Sequence, residues 1–230
     1  MKTRIAGMLE SALGLGGKFS FDDKVLRVLN GIARSIVAGS PVSRLQVAKL
    51  ARAAGIDPAT AEESLVGIAE RDQSDNIVGI PPGLTLTPTP HRLAVDGRKV
   101  FAWCAEDAVI AAAFLGQTVE IESTSPLRKE TVRLTVSANG VESVTPKDAV
   151  MSMIVVDTDQ VELDSLTAVW GVFCHNIFFF PSRGEAEEWA RGKDNIEMIS
   201  PDEAYEIAKI VARAFTASAT TSAPASRSGA

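Results

Sequence analysis

The sequence predicts an α+β protein in two parts: a three-helix, winged-helix-like domain over 21–83 and a mixed α+β domain over 84–215. Three observations carry this reading. Apolar residues recur at intervals of three and four as far as Ile68, which is the spacing of amphipathic helices. Pro81-Pro82-Gly83 then interrupts the chain. Beyond that connector the apolar period falls to two, as in half-buried strands, before helical spacing returns near the end. An extension over 1–20 and a disordered Ala/Ser/Thr tail over 216–230 flank the two parts.

Each element has its own local reason. Asp22 or Asp23 can cap a helix whose stripe is Val25, Leu26, Val28, Leu29, Ile32, Ile36 and Val37, with Gly39 ending it. Ser40-Pro41-Val42 opens a second helix carrying Leu45, Val47, Ala48 and Leu50, stopped by Gly55. Asp57-Pro58 starts a third with Ala61, Leu65 and Ile68 inward, since proline at a first helical position loses no needed amide hydrogen. Ile77-Val78-Gly79-Ile80 follows as a strand. In the second part Asp96-Gly97-Arg98 is a tight turn between two strands. Residues 104–115 form a buried helix closed by Gly116, and 118–122 and 131–136 are strands. Asn139-Gly140 turns toward a strand over 141–144, and 150–156 is apolar enough for a central strand. A short helix over 164–169 leads to a strand around Cys174, and helices over 184–191 and 201–215 complete the domain.

Composition excludes several functions. Of 230 residues 46% are hydrophobic and 23% charged, which is the balance of an ordinary globular protein. The net charge of −6 supplies no field for nucleic acid or an anionic membrane. The third helix region offers Glu62, Glu63, Glu70 and Asp72 against Arg71 alone, a surface that repels phosphate, so no nucleic-acid partner is expected. Glu10 interrupts the apolar run after Lys2 and Arg4 too early for an export signal, and no run approaches a bilayer span. The expectation is a cytoplasmic chain with reduced thiols and no membrane partner. Gly14-Leu15-Gly16-Gly17 lacks the spacing of a nucleotide loop, and two cysteines with His91 and His175 make no structural zinc cluster.

The chemistry-bearing residues are the two cysteines. Cys104 lies in Phe101-Ala102-Trp103-Cys104-Ala105-Glu106-Asp107, where strand gives way to helix. Unpaired amides at a helix start favour thiolate, so its pKa is expected below the usual value. Asp107, three residues on, projects from the same helical face, while Glu106 turns about 100° away toward solvent. Asp107 could equally be an ordinary charge match to the helix start. Cys174 lies in Phe173-Cys174-His175-Asn176-Ile177-Phe178-Phe179-Phe180, where strand alternation puts Cys174, Asn176, Phe178 and Phe180 on one face. Residue types alone leave open whether these thiols are inert core cysteines or a reactive pair.

The Trp103-Cys104-x-x-Asp107 and Phe173-Cys174-His175 motifs, with Leu86-Thr87-Pro88-Thr89 before them and Glu188-Trp189 after, resemble the organomercurial (alkylmercury) lyases over roughly 84–215. The resemblance implies the α+β catalytic domain of that family behind an N-terminal winged-helix-like scaffold. It places the two catalytic cysteines on Cys104 and Cys174 and the catalytic aspartate on Asp107. It implies cleavage of carbon–mercury bonds for mercury detoxification, with product Hg²⁺ held by Cys104, Cys174 and Asp107. Trp103 and Phe178 are the expected substrate-pocket residues. No cofactor is implied; free thiols are needed for product release, with small cytosolic thiols or a mercuric reductase as acceptor. The chain departs from the family at two places. The second motif often reads Cys-Cys-His where this chain has Phe173-Cys174-His175, and some members carry a further cysteine where it has Ser123-Thr124-Ser125. Two alternatives share the same residues: a winged-helix metal or redox sensor, and a mercury-sequestering protein without turnover. Only protonolysis needs the acid at Asp107.

Overall fold

Asp22 caps the first described helix in the computed structural model of the chain, which describes residues 21–155 and 165–216. The expected extension over 1–20 lies outside those residues, as does the expected tail beyond Thr216. Helix α1 (Asp23–Val37) accepts its cap through Asp22 and buries the whole expected stripe. Helix α2 (Arg44–Ala54) starts later than expected, because Ser43 and Gln46 form a reciprocal capping box there and Val42 is instead bridged to Ile77. Leu45 does not face inward: it is 65% exposed, two residues and about 200° of helix from the buried Val47. Helix α3 (Pro58–Leu65) has Asp57 as its cap and proline in its first turn; Ile68 is buried beyond its end.

An eight-stranded antiparallel sheet carries the chain through both parts. Its strands are β1 (Glu70–Arg71), β2 (Ile77–Ile80), β3 (Leu84–Thr85), β4 (His91–Val95), β5 (Arg98–Ala102), β6 (Val119–Thr124), β7 (Thr131–Ser137) and β8 (Gly140–Thr145). Their spatial order is β1-β2-β3-β5-β4-β6-β7-β8. Asp96 and Gly97, both at positive φ, make the β4–β5 turn, as the Asp-Gly pair requires. The two-residue strands β1 and β3 are too short to show an alternation, so nothing in the sequence announced them. Arg71 is committed to Glu62 and Asp75, and the helix before it stays acidic.

Helix α4 (Ala105–Leu115) is apolar on nearly every side. It packs across strands β3 to β7 and against α7 (Pro201–Ala214), in a single core that also includes α1. A second sheet, β10-β9-β11, has β9 (Val150–Ile154) at its centre, between β10 (Phe179–Phe180) and β11 (Ile196–Ile199). Helices α5 (Leu166–Val172) and α6 (Arg183–Ala190) complete the described residues. Residue 164, where α5 was expected to start, lies outside them. No helix among the described residues is long and apolar enough to cross a membrane.

Candidate active site

Cys104 is the N-cap of α4, with extended backbone and its sulfur accepting from the Asp107 amide at 3.5 Å. A thiol thus fills the place that serine, threonine or aspartate usually takes. The preceding residue is fixed by a hydrogen bond from the Trp103 amide to the Gly83 carbonyl, 2.8 Å. Asp107 follows in the first turn and shares the face of the cap.

Cys174 arrives differently from the expectation. It lies in a single 3-10 turn (Cys174–Asn176) directly after α5, and the strand is only Phe179–Phe180. The expected alternation through 173–180 therefore does not hold: Asn176 turns its amide back to the Val172 carbonyl at 2.9 Å, and His175 is exposed. Ser152, fully buried on β9, pins this segment from inside the protein. Its hydroxyl donates to the Asn176 carbonyl at 2.8 Å and accepts from the Phe178 amide at 2.9 Å. The Ala105 amide bonds the Ile177 carbonyl at 3.2 Å, tying the start of α4 to the second motif. Ser152 carries no motif signal; only its apolar neighbours in an apolar strand mark it as a buried hydroxyl in need of partners.

The result is convergence. The Cys174 thiol donates toward Asp107 Oδ2 at 3.9 Å, and one ligand atom each from Cys104, Asp107 and Cys174 lie within 4.8 Å of one another. They line a cavity of about 90 Å³ whose apolar wall includes Ile68, Pro82, Ile110, Phe173, Val211 and Phe215. Gly83 forms part of that wall at φ +89° and approaches Asp107 too closely for any side chain. The Pro81-Pro82-Gly83 break was legible as a connector, but not as a wall of this cavity.

Electrostatics here follow burial rather than the helix start. The Cys104 thiol is pushed well above its ordinary value by burial, with Cys174, Asp107 and Glu106 adding to the rise. The expected lowering is overturned, because amide dipoles at the cap do not offset loss of water beside two carboxyl groups. At Cys174 the hydrogen bond from Cys104 opposes the change, but burial and the same carboxyl groups carry the thiol upward. Asp107 is raised to about 7 by burial, against hydrogen bonds with both cysteines. Glu106 is not solvated as expected. It is buried, lines the same cavity and is raised to about 8 by burial and by Asp107. Its 100° offset points it into the protein because α4 is enclosed all round.

Trp103 lines the cavity and donates its indole hydrogen to Glu70 at 2.8 Å, with Trp170 edge-on at 5.5 Å. Phe178 lies instead on a neighbouring hollow of about 360 Å³ that shares Trp103 and Cys174. His91 is a core residue: its Nδ1 meets Ser123 Oγ at 2.8 Å, and burial lowers its pKa to about 4.

The sequence profile of alkylmercury lyase matches residues 84–213, more than half of the chain. The chain belongs to the alkylmercury lyase family. An alkylmercury lyase of Staphylococcus epidermidis is 36% identical over 140 residues, and the match spans 61% of this chain and 61% of that protein. One from Pseudomonas putida is 32% identical over 181 residues, spanning 79% of this chain and 81% of its own length. Among solved structures, a mercury-bound form of MerB2 superposes with a TM-score of 0.74 at 23% identity, covering 90% of this chain and 98% of its own. The mixed α+β fold of the alkylmercury lyase family is therefore that of this chain.

Proposed function

We propose that the chain cleaves carbon–mercury bonds of organomercurials, with Cys104 and Cys174 as mercury ligands and Asp107 as proton donor. The observation that carries this is the meeting of two buried thiols and one carboxyl group in an apolar cavity. Mercury in R–Hg–SR′ is soft and prefers thiolate to any oxygen or nitrogen ligand. The two thiols form two S–Hg bonds in place of the bonds to SR′ and to carbon. Of the two protons they give up, one leaves with SR′ as R′SH. The other passes through Asp107 to the carbon as the Hg–C bond breaks, and its electron pair becomes the new C–H bond of R–H. Hg²⁺ stays bridged by the two sulfurs.

Asp107 suits this step because burial raises its carboxyl group to about 7, so that it can take up and hand on a proton near neutral pH, beside the Cys174 sulfur. Release then needs two incoming thiols, which return their protons to Cys104 and Cys174; small cytosolic thiols or the cysteine pair of a mercuric reductase suit that role. Mercury is substrate and product, and the cleavage step draws on protein groups alone. The N-terminal part, read as a winged-helix-like unit over 21–83, acts as a cover: Ile68, just beyond α3, and Pro82 line the cavity from that side. The test is release of benzene from phenylmercury by purified protein in excess thiol. Mercury uptake without benzene would favour sequestration and end the lyase reading.

A further inference from the structure

Glu106 stands in the cavity wall without a role in the bond cleavage. It is 8% exposed, lines the cavity beside Cys104 and Asp107, and has no hydrogen-bond or ion-pair partner among the described residues. Its oxygens are not among the fully buried side-chain atoms left without a partner, so they keep contact with open space, and whatever displaces water from them must return a hydrogen bond or cost free energy. The neighbouring side chains offer no free donor: Ile68, Ile110, Val169, Phe173, Val211 and Phe215 are apolar, and the Trp103 indole hydrogen is taken by Glu70. Both sulfurs and Asp107 are committed to the metal and the reacting carbon, so Glu106 is the polar group left to face the organic part of the substrate.

We propose that Glu106 is a specificity determinant that selects organomercurials whose organic group carries a hydrogen-bond donor, such as a hydroxyl or amine. This rests on the lyase reading and names a substrate class for the same site. A carboxyl oxygen accepts a hydrogen bond whether or not the group carries its proton, so the preference does not depend on its charge. A purely hydrocarbon group removes water from Glu106 and returns nothing, whereas a donor restores the missing bond. Sites built this way discriminate against analogues that lack the matching group.

The test compares ring-position isomers of (hydroxymethyl)phenylmercury with the matching ethylphenylmercury compounds, pairs of similar size and electronic character. For at least one isomer the kcat/KM ratio should exceed roughly tenfold. Glu106→Leu should bring that ratio close to one, and Glu106→Gln, whose amide oxygen still accepts, should keep part of it. The ratio is independent of the folded fraction, so partial misfolding of a variant does not obscure it. A ratio near one for every isomer in the unaltered chain, or a preference that survives in Glu106→Leu, overturns the proposal. If no compound yields hydrocarbon the lyase reading fails. The same ratio is then read in Kd from quenching of tryptophan fluorescence, by the same criterion.

Discussion

Gly83 and Asp107 are in such close approach that a Cβ on Gly83 would lie 2.0 Å from Asp107 Cγ and 2.3 Å from its Oδ2. The glycine backbone is therefore one wall of the seat in which the acid is held. Its φ of +89° is itself unfavourable for any side chain. Gly83→Ala should displace the carboxyl group and lower hydrocarbon release about a hundredfold, since misplacement by roughly 1 Å has that effect. Stability should fall by about 1–3 kcal/mol. Product chromatography and thermal unfolding measure the two effects separately, and a fully active Gly83→Ala would mean that Asp107 needs no fixed seat.

Asp107→Ala should keep mercury binding and lose hydrocarbon release by roughly 10²- to 10⁴-fold, the usual worth of a positioned acid. Cys104→Ala should lose both, because a single sulfur neither retains mercury nor activates the bond to carbon. Mercury stoichiometry after gel filtration, set beside product yield, separates the variants. Hydrocarbon release by Asp107→Ala at the rate of the unaltered chain would remove Asp107 from the proton-donor role.

Both thiols are raised by burial and by neighbouring carboxyl groups. The resting protein should therefore react with iodoacetamide at pH 7 more slowly than free cysteine, with the rate still climbing above pH 9. Mass spectrometry of each cysteine against pH reads this directly. A rate plateau below pH 8 at Cys104 would restore the thiolate expected from its place at the helix start.

Stability should fall as pH rises from about 6.5 to 8. Asp107 and Glu106 are raised from 3.8 and 4.5 to about 7 and 8, so the folded chain holds protons that the unfolded chain has released. His91 acts in the opposite sense: lowered from 6.5 to about 4, it contributes stability above pH 6.5 that is lost as pH falls toward 4. Above 6.5 only the acids act, and the loss amounts to roughly 2 kcal/mol. Glu106→Gln should flatten most of that slope in denaturant titrations. An unchanged slope would mean that Glu106 is hydrated in solution.

Glu70 gathers three donors, Thr85 Oγ1 at 2.7 Å, Trp103 Nε1 at 2.8 Å and the Thr87 hydroxyl. Glu70→Ala leaves all three without their acceptor and should cost roughly 1–3 kcal/mol. It should also free the Trp103 ring and shift tryptophan emission. Unfolding curves and emission spectra check both, and an unaltered spectrum would show that packing against Trp170 alone holds the ring.

Much of this protein was legible in its residues because the signals are local. Asp22, Asp57 and Gly116 stop and start helices through their own side chain or backbone freedom, and Asp96-Gly97 makes a hairpin turn wherever it occurs. The Trp103-Cys104-x-x-Asp107 spacing likewise puts a thiol and an acid on one face without help from the rest of the chain. The segment around Cys174 was misread because Ser152, 22 positions away, sets its path through hydrogen bonds that no alternation of side chains reveals. Glu106 was misread for a related reason: a helix wheel gives direction, but α7 and the sheet decide whether that direction leads to water.

Sequence by itself determined which groups are available, two thiols and one acid at helical spacing, and which elements carry them. Tertiary structure decided that the second thiol reaches the first, that Gly83 seats the acid, and that burial raises every ionisable group in the cavity. The physical reason is range: caps and turns act over a few bonds, whereas convergence and desolvation depend on residues distant along the chain.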